Sequence, residues 1–195
     1  QSSSLFSLPP ELRLEIYSMV LPRLESEVEI VQLNMDSMRV VTKAGSEKRR
    51  PRDLTKVNIL ATCLAVHNEA LDHLYTKATF KFGSTKVLYL FLRHIGNHGR
   101  QLLTGIDVVC GNRDDALAFA LLATCEKLTR IVIRCPRPKL LLSGAPIWTV
   151  NSAACLLSLT GIDTVDFQPT APGLRHLGQS EPDVAIVCQA LTRPR

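Results

Sequence analysis

"LTGIDVV", at residues 103–109, returns as "LTRIVIR" at 128–134 and as "LTGIDTV" at 159–165. Each copy carries Ile at its fourth position with β-branched residues around it, which suits a pleated, half-buried strand. A stretch with apolar residues at helical spacing precedes each copy. Three strands separated by helices read as parallel strands, because a parallel pair needs a long crossover and that crossover is right-handed. Between the first two copies, Asn112 and Asp114 offer caps to a helix over "DALAFALLATC" (115–125). Between the second and third, "CPRPKLLLSGAPIW" (135–148) is a proline-broken connection, followed by a helix over "SAACLLSL" (152–159). A last helix over "DVAIVCQALTR" (183–193) closes the stack. The spacing of the copies is uneven, so the repeat is degenerate.

Toward the N-terminus, "TFKF" (79–82) reads as a short strand, Gly83 as its stop and Ser84 as the cap of a helix over "TKVLYLFLRHI" (85–95). Val57, Leu60, Cys63, Leu64, Ala70, Leu71 and Leu74 recur at helical spacing and predict a helix from Leu54 to Tyr75. "EVEIVQL" (27–33) and "MRVVT" (38–42), separated by the turn residues "NMDS", predict a β-hairpin. "KAGSEKRRPRD" (43–53) is a polar, basic loop. The chain opens on a further helix. Pro9 and Pro10 suit a first turn, whose amide hydrogens are unpaired anyway, and Glu11 favours the positive end of the helix dipole. Leu8, Leu12, Ile16 and Met19 with Val20 then form one apolar stripe, with Arg13 and Glu15 pointing elsewhere. Such a stripe needs a partner surface, in this chain or another.

The expected class is mixed α/β: a helical head with a β-hairpin insertion, followed by irregular β/α repeat-like layers. Residues 1–82 form the head, about 24–53 the hairpin and basic loop, and 83–195 the repeat-like region packed with it. At 195 residues the chain is long enough to bury a sizeable core. Its longest apolar run, "ALAFALLA" (116–123), is far below the ~20 residues a membrane helix needs. The six cysteines lie apart without a C-x-x-C pair and read as thiols of a reducing compartment, giving an intracellular expectation of cytoplasm or nucleus. A net charge of +5 permits an acidic partner without requiring one.

Motifs of catalysis are missing from the sequence: there is no nucleophile elbow, no phosphate-binding loop and no dinucleotide fingerprint. His94 and His98 have the spacing of helical zinc ligands, but "HIGNH" lacks the catalytic Glu and carries a Gly, so no metal is expected there. His67, His73 and His176 have no spacing partners. Asp107 and Asp163 occupy the same position in the first and third copies while the second has Val132, so no row of acids is expected. Glu69 reads as structural, paired with a basic side chain or exposed. Lys43, Lys48, Arg49, Arg50 and Arg52 could meet an acidic partner, although no aromatic residue interleaves with them and nucleic acid is not favoured. These readings describe a non-enzymatic chain that takes no cofactor.

Two segments resemble a known family. "LPPELRLEIYSMVL" (8–21) is similar to the opening of an F-box, and "NILATCLAVHNEALDHLYTKATFKF" (58–82) to the segment that follows in fungal F-box-like proteins. Thr62, Cys63, Glu69, Ala70, Tyr75, Thr79, Phe80 and Phe82 carry the second likeness, while Leu64 stands where a basic residue is common. An ordinary F-box joins its helices tightly, whereas residues 22–57 intervene here. The first two strand copies are close to the strand part of a leucine-rich repeat. The resemblance implies a substrate adaptor of a cullin-based ubiquitin ligase. Leu8, Pro9, Leu12, Ile16 and Met19 would then face a Skp-type adaptor protein, and the repeat-like face or the connection near Trp148 would hold a protein client. The alternative is a stand-alone scaffold or nuclear protein that binds acidic protein or nucleic acid through its basic loop.

Overall fold

The computed structural model of the chain describes residues 5–21, 28–34, 37–42, 59–111, 114–134, 153–168 and 182–195. The basic stretch 43–53, the connection 135–148 with Trp148, and Asn112 and His176 lie outside them. Helices α1 (Pro10–Val20), α2 (Leu64–Lys77), α3 (Thr85–His94), α4 (Gly96–Leu102), α5 (Asp115–Leu122) and α6 (Pro182–Leu191) accompany six strands. These are β1 (Val28–Asn34), β2 (Ser37–Thr42), β3 (Thr79–Phe82), β4 (Gly105–Val109), β5 (Arg130–Arg134) and β6 (Thr164–Phe167), joined in one sheet of order β2-β1-β3-β4-β5-β6. The mixed α/β class holds.

From β1 to β6 every pairing is parallel, and strands from β3 onward follow one another in chain order. The hairpin is present, β1 and β2 pairing antiparallel. It extends the sheet, because β1 also pairs parallel with β3. The sheet therefore runs unbroken across the boundary at residue 82 between head and repeat-like region.

Alternation along the strands gives the sheet two different faces. Ile30, Phe80, Phe82, Ile106, Val108, Ile131, Ile133 and Phe167 are buried on one of them. Phe91 of α3 fits this face, its ring 5.3 Å from Phe80 and 5.2 Å from Phe82, with Tyr75 of α2 at 6.3 Å. Helix α5 packs beside α3, the 3-10 turn Ala153–Ser158 beside α5, and α6 beside that turn. Ser84 caps α3 as expected, accepting from the Val87 amide at 3.4 Å. Asp114 stands at the cap position of α5 but makes no capping hydrogen bond with its side chain. The neighbouring Asp115 wires that end instead, accepting from Thr85 Oγ1 and from the Gly111 amide, both at 2.7 Å.

Three expectations need correction. The helix expected over 54–75 begins at Leu64, because residues 59–62 form a tight turn in which both the amide and the hydroxyl of Thr62 donate to the Ile59 carbonyl; residues 54–58 lie outside the described set. The helix expected over 152–159 is a 3-10 turn. The third strand copy is out of step with the first two. Arg130 pairs with Gly105, as the repeat requires, yet also with Thr164 rather than Gly161, so β6 is displaced by three residues. Gly161 is the cause: at φ +72° it turns the chain, its amide donates to the Arg193 carbonyl and that of Ile162 to Leu191, tying "LTGI" to the end of α6. The ladder then starts afresh, with Asp163 and Thr164 donating to the Thr129 carbonyl just as Thr129 and Arg130 donate to Thr104.

The displacement separates two acids that the sequence aligns. Asp163 is exposed at the strand entrance, while Asp107 is buried in a register row Glu29–Lys81–Asp107–Val132–Asp166. Arg134 grips Asp107 through Nε at 2.7 Å and a second nitrogen at 2.7 Å, and Lys81 Nζ approaches at 3.3 Å. Both cations are largely buried, so the group stitches β3, β4 and β5 across the face opposite the aromatic layer. Removing the anion would take from Arg134 its two-pronged acceptor and from Lys81 a close carboxylate, both in a largely buried setting. We predict that Asp107→Ala lowers unfolding free energy by about 3–5 kcal/mol in urea titrations, whereas Asp163→Ala changes it by no more than about 0.5 kcal/mol.

Candidate docking surface on the first helix

Pro9 stands at the cap of α1 and Pro10 at its first position, with Glu11 in the first turn, as the sequence predicts. The sequence leaves open which side of this helix meets the rest of the chain, and that side is not the apolar stripe. Tyr17 is wholly buried and Leu21 nearly so, and Arg13 falls in the same column one turn earlier. Helix α2 receives them on the face where Val66, Ala70 and Leu74 are buried.

Glu69, at the centre of α2, fixes the contact. Its carboxylate accepts from Arg13 Nε at 2.9 Å and Nη2 at 2.8 Å, a two-pronged arrangement that sets orientation as well as distance. Tyr17 donates its phenol hydrogen to the same carboxylate at 3.0 Å. Arg13 also donates from Nη1 to the Leu8 carbonyl at 2.7 Å, and its guanidinium lies 5.5 Å from the centre of the Phe6 ring. One arginine thus anchors the turn before α1 and the helix itself. Glu69 is structural and paired with a basic side chain, one of the two outcomes expected for it.

The hydrogen bonds from Arg13, aided by that from Tyr17, hold the Glu69 carboxyl below the usual glutamate range, against the opposing effect of desolvation. Arg13 is shifted up by the same partner. Burial, then the bond to Glu69, pushes the Tyr17 phenol up, so it remains a donor.

With Arg13 and Tyr17 turned inward, the apolar stripe faces out. Leu12 is 46% exposed and Met19 71%, Val20 and Pro9 are exposed, and Leu8 and Ile16 are half-buried. The five residues expected to face a partner therefore lie on or beside the outer side of α1. Leu64, which the sequence offers both as one of the apolar positions at helical spacing and as a departure from a pattern, opens α2 at 76% exposure. Nothing in the sequence marks it as exposed, because the helix is expected to begin earlier, at Leu54, which would put Leu64 in its interior.

Other candidates separate. His98 Nε2 lies 2.9 Å from Asp72 Oδ1 and His94 is exposed, so the two histidines form no pair. Among the described residues no group of three His, Cys, Asp or Glu could hold a metal ion. His67 Nδ1 bonds the Leu60 carbonyl at 2.8 Å, and burial shifts the half-buried His73 down. Cys125 behaves as a core hydrophobe, its thiol pushed up to about 12 by burial, whereas Cys63 is exposed at the cap of α2. Lys48, Arg49, Arg50 and Arg52 lie outside the described residues. No helix among those residues is long and apolar enough to cross a membrane.

A family model described as a domain of unknown function, DUF7730, matches residues 1–102. The chain belongs to that family. The matched residues run from the N-terminal segment to the end of α4 and so include the stripe, Leu64 and the Arg13–Tyr17–Glu69 contact; β4, β5 and β6 lie beyond it. No curated protein and no solved structure matches the chain at a significant level.

The lowered Glu69 value fixes a sign. Stability from this carboxylate is present above the ordinary glutamate value, ~4.3, and is lost as pH falls through the lower folded-state value. Wild type should melt above Glu69→Gln at pH 7, with the gap closing on acidification below that range; a gap independent of pH would remove the carboxylate from this role.

Proposed function

We propose that this chain is a non-enzymatic protein-interaction module that docks on a Skp-type adaptor of a cullin-based ubiquitin ligase through the outer side of α1, and that it works inside the cell, in cytoplasm or nucleus. One observation carries the reading. A helix anchored by Arg13, Tyr17 and Leu21 leaves Leu12 and Met19 uncovered on its other side, where apolar contact is available to a second protein. The likeness of residues 8–21 and 58–82 to F-box-like segments supplies the identity of the partner.

Catalysis would then belong to the ligase. This chain would act by proximity, with α1 held by the adaptor and a protein client held by the repeat-like region. The single sheet from β1 to β6 supports that division, since it couples the end carrying α1 to the end carrying the repeat through continuous backbone hydrogen bonds.

The test is binding of the purified chain to a purified Skp-type adaptor, with Leu12→Asp and Met19→Asp as variants. Both side chains are exposed, so each variant should stay folded and lose less than about 1 kcal/mol of stability. Wild type should bind, and each variant should weaken binding by about tenfold or more, or ~1.4 kcal/mol. Absence of wild-type binding, or indifference to both substitutions, would end the reading.

A further inference from the structure

The outer side of α1 is not uniformly apolar. Glu11 and Glu15, four residues apart and both exposed, form one edge of it, beside Leu12, Ile16 and Met19. Neither carboxylate has a hydrogen-bond or ion-pair partner among the described residues. Glu11 in the first turn favours the helix dipole, but Glu15 lies a turn further on, where that effect has faded.

The described cation of α1, Arg13, is on the inward side and already engaged by Glu69 and the Leu8 carbonyl. A second copy of this face therefore brings no cation to the acidic edge.

Resting on the reading of this face as a docking surface, we propose that its occupant is a heterologous protein surface with an apolar floor and a lysine- or arginine-lined edge opposite Glu11 and Glu15. Charge complementarity of this kind selects partners and orients them, while the apolar floor supplies most of the affinity. It also sets the register of the partner along α1, since the acidic edge runs along one side only.

The experiment uses the full chain and two synthetic helical peptides with the same apolar face, one edged with lysine and the other with glutamate, titrated by calorimetry. The lysine-edged peptide should bind about tenfold more tightly at low salt, and the advantage should shrink at ~1 M salt, where the Debye length falls to about 3 Å. Glu11→Lys with Glu15→Lys should reverse the preference, while Leu12→Asp and Met19→Asp should weaken both peptides. Equal affinity for the two peptides, or no binding of either, overturns the proposal. Discrimination between the peptides without adaptor binding upholds it and removes the adaptor reading. Adaptor binding that is sensitive to Leu12→Asp, with the peptides undistinguished, does the reverse.

Discussion

A single carboxylate decides which way the first helix faces. Glu69 has room for several donors, and it takes two from Arg13 and one from Tyr17. Those residues are four apart, so satisfying both fixes the rotation of α1 about its own axis. A helix held only by apolar contact could turn its Leu and Met residues toward α2. That rotation would strip Glu69 of its partners and expose Tyr17, whose aromatic body is a larger apolar surface than a single Leu. The stripe stays outside because polar and apolar requirements on the inner side agree.

The sheet follows a related logic on a larger scale. Its aromatic and aliphatic face is covered by a row of helices, as any parallel sheet requires. The other face carries Asp107 between Lys81 and Arg134, a charged group largely sequestered from water. Such a group adds little to stability over a well-packed apolar alternative, yet it tolerates few neighbours, because a shift of one strand breaks the Asp107 contacts with Lys81 and Arg134. A degenerate sequence repeat specifies register weakly, and this set of ion pairs specifies it for β3, β4 and β5. Strand β6 is the one that departs from the repeat.

Much of this fold was legible in the sequence because periodicity reports burial. The strands at 79–82, 105–109 and 130–134, the capped helix after Ser84 and the hairpin all follow from it. What periodicity missed has physical causes. The third repeat copy is identical to the first over "LTGID", but its Gly161 adopts a positive φ and the chain end draws Ile162 away from the ladder. Local sequence cannot report that competition between distant backbone groups. On α1 the apolar stripe is legible as one side of the helix, and the sequence leaves open whether that side meets this chain or another. Arg13 and Glu69 are 56 residues apart, and neither looks apolar. Their pairing, together with the buried Tyr17 and Leu21, makes that side the inner one.

The same reasoning bears on how family and function relate in this chain. The matched region ends at Leu102, so it holds the outward stripe, the carboxylate that orients it and the first half of the sheet, while the displaced strand and its ties to α6 lie beyond. A docking surface needs a rigid base, because a helix free to rotate would lose its preference for one edge of a partner. Glu69 gives α1 that base through α2, and α2 transmits it to the sheet through Tyr75, whose ring lies 5.7 Å from Phe80. The path from an exposed Leu12 to the buried aromatic layer therefore crosses one polar contact and one aromatic contact. Orientation of the surface is set by the first, and its fixed position on the sheet by the second.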